Sequence, residues 1–140
     1  MVDLATFALT REWLQKADED LRAAKLLAVG CLFAPTLFHC QQAIEKGLKA
    51  TLCFHQVVVP KTHDLSYLCE LAADIDPFWN EYKSVAEEFT SYGVEMRYPG
   101  AGSVATGSVA SQLQATEAFL QVIFQRLPAQ FVEGSVPDAT

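Results

Sequence analysis

The chain has 140 residues, with 17 acidic and 10 basic side chains and a formal net charge of −7. A chain of this length builds one core comfortably and two poorly, and 51% hydrophobic against 19% charged residues excludes a disordered polymer. The acid excess disfavours generic nucleic-acid binding, whose affinity comes from Lys and Arg on phosphates, although a local basic patch stays open.

A spanning helix needs about 20 nearly uninterrupted apolar residues. The most apolar stretches, residues 26–38 and 104–124, are short or broken by polar positions, so no membrane segment is expected. The start Met1-Val2-Asp3-Leu4 lacks the basic, then apolar, pattern of a secretion signal, which places the protein in the cytoplasm. Cys31, Cys40, Cys53 and Cys69 form no C-x-x-C pair, and the neighbours His39/Cys40 and Cys53/His55 lack zinc-site spacing. They read as buried free thiols, and no metal or other cofactor is expected.

Residues 10–29 carry Leu14, Ala17, Leu21, Ala24 and Ala28 at spacings of three and four, one face of a helix. Thr10 is its expected cap, and Gly30 is expected to end it in the left-handed conformation. A second helix runs from Pro35 to about His55, with Glu45 and Lys49 as an i,i+4 pair. Val57-Val58-Val59-Pro60 then forces a loop, because β-branched residues crowd a helix and the residue before proline avoids it.

Thr62, followed by His63-Asp64-Leu65, predicts the cap of a short third helix containing Leu65, Leu68, Leu71 and Ala72. The chain restarts at Asp76-Pro77 into a fourth helix with Phe78, Tyr82, Val85, Ala86 and Phe89, which frays between Ser91 and Met96. Residues 99–108, with three glycines, one proline and two serines, read as a mobile loop. A last helix over residues 111–127 ends at Pro128, and residues 133–140 are an expected disordered tail. The pattern predicts an all-α fold, an antiparallel up-and-down bundle of four to five helices, forming one domain over residues 1–132.

Four blocks together resemble the HEPN family, the higher eukaryote and prokaryote nucleotide-binding domain. They are Ala17-Asp18-Glu19-Asp20-Leu21-Arg22-Ala23-Ala24, residues 38–50 (FHCQQAIEKGLKA), Thr62-His63-Asp64-Leu65, and Met96-Arg97-Tyr98-Pro99-Gly100. The likeness covers about residues 10–127, with the blocks in the family's order and spacing. It implies a helical bundle that dimerises, found beside a small nucleotidyltransferase for which it binds nucleotide or substrate. In other branches it implies an RNA-cleaving toxin of a toxin–antitoxin type system. That ribonuclease branch carries Arg, four to six residues, then His. From Arg97 the required positions hold Gly102, Ser103 and Val104, and Arg11, Arg22 and Arg126 fail likewise.

Lys46, Lys49, His63, Arg97 and Tyr98 are the candidate nucleotide- or phosphate-binding residues, with Lys61 nearby in sequence. The start of the third helix would add backbone N–H groups suited to an anion, Arg97 a bidentate phosphate contact and Tyr98 a face for a base. Against this stand plainer readings. Glu45/Lys49 reads first as a solvated helix pair with Lys46 on the same wet surface, His63-Asp64 as a helix cap, and Arg97 equally as a bundle ion pair. His39 reads as a satisfied polar contact, Asp18-Glu19-Asp20 as a solvated acidic face, and Trp13, Phe38, Trp79, Tyr82, Phe89, Phe119 and Phe124 as core or interface.

The functional expectation is a non-catalytic domain with no catalytic residues. Its expected partners are a second copy of the chain, a nucleotidyltransferase and a nucleotide, with RNA disfavoured and no membrane. Two alternatives stand beside it: a divergent metal-independent ribonuclease toxin using Arg97, His63 or His39, and a pure protein-interaction module.

Overall fold

The computed structural model describes residues 2–90 and 106–132. Among these residues six α-helices carry the fold: α1 (Leu4–Val29), α2 (Phe33–Phe54), α3 (Leu65–Ile75), α4 (Lys83–Thr90), α5 (Thr106–Gln125) and the single-turn α6 (Ala129–Val132). A 3-10 helix, Pro77–Tyr82, links α3 to α4, and there is no strand among the described residues.

Helix α1 begins earlier than its periodicity predicts. Asp3 caps it, accepting from Thr6 N at 2.8 Å, while the Thr10 hydroxyl donates to the Thr6 carbonyl, a bond that only a residue inside a helix makes. At the far end Gly30 has φ −82° and the left-handed corner falls on Cys31, φ 60°. Cys31 N donates to Ala28 O and Leu32 N to Leu27 O, the paired bonds that close a helix terminus. Helix α2 ends in the same way, with Gln56 at φ 60°, Gln56 N on Cys53 O and Val57 N on Leu52 O.

The tight corner at Cys31 folds α1 back along α2. Thr10 reaches Cys53 Sγ at 3.5 Å and Asp20 reaches Lys46, so residues advance along one helix as they recede along the other: the pair is antiparallel. Ala17 and Ala24 of α1 and Ala43 and Ala50 of α2 are fully buried, and their small side chains let the two axes approach. On another side of α2, Gly47 admits α5 so closely that an added Cβ would stand 2.6 Å from Ile123 Cδ1.

Asp64, not Thr62, caps α3, accepting from Tyr67 N. Trp79, Phe89 and Phe119 lie in the core as their spacing predicts, whereas Trp13, Tyr82 and Phe124 are half-buried. Cys40, Cys53 and Cys69 are buried thiols, and burial pushes Cys69 up to about 11. Cys31 is exposed, against expectation, because a helix corner has no core to enter. Arg126 reaches Asp76 Oδ2 with Nε at 2.8 Å and lies over the Phe78 ring, tying the end of α5 to the α3 terminus. Past Leu127 the chain makes one more short helix, α6, whose Phe131 stacks on Phe7 at 4.3 Å. No helix among the described residues is long and apolar enough to cross a membrane.

Candidate functional site

The 3.6-residue repeat of α2 sets Gln41, Glu45 and Lys49 in one row, with His39 and Lys46 two turns apart in another. The first row faces the chain that enters α3. Glu45, 3% exposed, accepts from His63 Nδ1 at 2.7 Å on one carboxylate oxygen and from Lys49 Nζ at 3.0 Å on the other. The second row faces α1, where Asp20, 8% exposed, accepts from His39 Nδ1 at 2.8 Å and from Lys46 Nζ at 2.5 Å.

The two groups share one construction, a buried carboxylate holding an imidazole on one oxygen and an ammonium on the other. An ionised carboxylate only accepts, so in each bond Nδ1 is the donor and Nε2 takes no part. Neither Nε2 has a hydrogen-bond partner among the described residues. The His39 side chain is 31% exposed and that of His63 67%, so His63 is the more available of the two.

These contacts overturn two expectations. Glu45/Lys49 is not a solvated helix pair, because α1 and the His63 loop cover it, and Lys49 Nζ also lies 5.6 Å from the Trp13 ring centroid. Asp20 leaves the solvated acidic face because it lies on the side of α1 that meets α2, while Asp18 turns outward to Arg22. His39 makes the polar contact expected of it. Breaking such a buried pair by removing one partner costs about 3–5 kcal/mol, since the other charge is then left uncompensated.

The His63 loop is pinned from two directions. Gln41 Nε2 donates to the His63 carbonyl at 3.1 Å and to Glu45 Oε1 at 3.4 Å, while Gln41 Oε1 is buried without a partner among the described residues. Thr62 Oγ1 accepts from Asp64 N, and Leu65 N donates to Thr90 Oγ1. The start of α3 therefore has little to offer an anion, as Leu65, Tyr67 and Leu68 already donate to Thr90 Oγ1, Asp64 Oδ1 and the Asp64 carbonyl. Of the five candidates from sequence, Lys49 and His63 meet on Glu45 and Lys46 sits with Asp20. Arg97 and Tyr98 lie outside the described residues.

Along the same edge, an open groove of about 520 Å³ is lined by Thr6, Leu9, Trp13, Cys53, Gln56 and residues 57–59. Trp13 belongs to both features: its ring lines the groove and meets Lys49. Sequence reasoning missed Asp20, Gln41, Trp13 and Gln56 as members of this edge. The placement of Trp13 seven residues, nearly two turns, before Asp20 is the one signal that joins two of them.

Comparison with known proteins follows the fold. The HEPN domain model matches residues 10–127. The crystal structure of TT1696 from Thermus thermophilus is similar with a TM-score of 0.72 and 24% identity, over 84% of this chain and 98% of that one. Among curated proteins, none matches.

Proposed function

Because the chain belongs to the HEPN family, whose domain model spans residues 10–127, we propose that it is a non-catalytic domain that binds a nucleotide or nucleotide-like substrate for a small nucleotidyltransferase. The observation that carries this reading is the Glu45–Lys49–His63 group. It holds an exposed imidazole in one orientation against a buried carboxylate, with no hydroxyl or thiol hydrogen-bonded to that ring among the described residues. An oriented donor without a nucleophile suits binding better than covalent chemistry.

Lys46 and Lys49 each balance a carboxylate, so charge for a phosphate falls mainly to His63 in its protonated form and to Arg97. Tyr98 is the sequence candidate for a base-stacking face. The segment bearing both continues from Thr90, which is hydrogen-bonded to Leu65, two residues past His63. Leu26, Val29 and Leu32, 75%, 85% and 54% exposed around the α1–α2 corner, support contact with a partner chain, whether a second copy or the transferase. Together with that enzyme the domain would form a pair of the toxin–antitoxin type, working in the cytoplasm.

The test is a thermal-shift panel with the four ribonucleoside triphosphates, on the parent chain, His63→Ala and Arg97→Ala. A nucleotide at a hundred times its Kd adds about 2.7 kcal/mol to stability. The expected result is a rise of several degrees that shrinks in both variants. No shift with any triphosphate, or cleavage of a short RNA by the nuclease-free parent chain, overturns the reading.

A further inference from the structure

We propose that the groove beside Trp13 is the seat of the nucleobase, with the ring stacked on the indole and its polar edge read by Gln56; this rests on the nucleotide-binding reading and assigns the base to Trp13 in place of Tyr98. The groove, about 520 Å³, falls within the range of small-ligand sites, and Leu9, Val57 and Val59 give it apolar walls. Trp13 is half-buried at its side, while the chain's other tryptophan, Trp79, is 1% exposed. An aromatic face on an apolar wall takes any base by stacking.

Gln56 supplies what stacking lacks. It closes α2 at φ 60°, a conformation that glycine adopts more cheaply, and its side chain has no hydrogen-bond partner among the described residues. A primary amide offers a donor and an acceptor together, the pair that the edge of a nucleobase presents. The groove also leads to the ionic group: Trp13 touches Lys49, Lys49 binds Glu45, and Glu45 binds His63. A base over Trp13 thus directs its phosphates along the α1–α2 edge toward His63.

Calorimetry and tryptophan fluorescence with the four ribonucleoside triphosphates and their four nucleosides test this on the parent chain, Trp13→Leu, Gln56→Ala, Tyr98→Ala and His63→Ala. Because Trp79 is sealed in the core, a fluorescence change on binding reports Trp13. At least one triphosphate should quench the parent, with Kd raised tenfold or more in Trp13→Leu and several-fold in Gln56→Ala. Gln56→Ala removes exposed atoms only, so it serves even if Trp13→Leu fails to fold. His63→Ala should weaken the triphosphate and leave its nucleoside unchanged. Parent-like affinity in Gln56→Ala and in folded Trp13→Leu, or a loss confined to Tyr98→Ala, overturns the base site and leaves nucleotide binding standing. Failure of all eight probes to bind the parent overturns both.

Discussion

Cys31 and Gln56 hold the left-handed positions that end α1 and α2, with both residues at φ 60°. A side chain there brings Cβ against a carbonyl oxygen, at a cost of about 1–2 kcal/mol that glycine avoids, less what glycine loses through greater freedom in the unfolded chain. Cys31→Gly and Gln56→Gly are each expected to stabilise the domain by about 1 kcal/mol, or about 3 °C in melting temperature by calorimetry. Only Gln56→Gly should also weaken nucleotide binding, because Cys31 lies at the opposite end of the α1–α2 pair. A glycine at position 30 invites the left-handed reading there, and composition alone points to it. The helix instead keeps its last turn through Gly30 and bends one residue later, a distinction made by hydrogen bonds to Leu27 and Ala28 rather than by residue type.

Helix α2 works on three sides at once: α1 lies against Ala43 and Ala50, α3 enters beside Gln41 and Glu45, and α5 rests on Gly47. In Gly47→Ala the new methyl meets Ile123 Cδ1 at 2.6 Å and Leu120 Cδ2 at 3.0 Å. Overpacking of about 1–3 kcal/mol then exceeds the helix-propensity gain of about 0.5–1 kcal/mol. Denaturant melts should show a net loss of about 1 kcal/mol, at least halved in an Ile123→Val background that removes the obstructing carbon. Additive effects would show that α5 shifts freely. Periodicity exposes the helices because apolar repeats survive in any one sequence. It does not reveal the site, because the row Gln41, Glu45, Lys49 looks solvated until the chain at His63 returns to cover it. Neither spacing nor charge along α2 carries that information.

At the scale of the bundle, Asp76 with Arg126 and Lys25 with Glu117 are ionic contacts that join elements distant in sequence. The guanidinium hydrogen-bonded to Asp76 holds its carboxyl below the ordinary 3.8, as the backbone N–H of Thr6 does for Asp3. A lowered carboxylate contributes stability that is present above its unfolded value and is lost as pH falls through the folded one. As pH falls below that ordinary value, the melting temperature of the parent should therefore fall more steeply than that of Asp76→Asn. Equal slopes would show the contact to be inert.

The antiparallel pairing of α1 and α2 has a consequence for synthesis on the ribosome. Every contact between those two helices is available once residue 54 has emerged, across a corner of only three residues. The Gly47 side of α2, however, waits for Leu120 and Ile123, which follow residue 54 by more than sixty residues. Until they do, a nascent hairpin of this kind leaves the Gly47 side of α2 without its α5 partners. The vulnerable species in the life of this protein is thus the half-made chain, in which an early, well-paired hairpin holds open the apolar face that its last long helix will close.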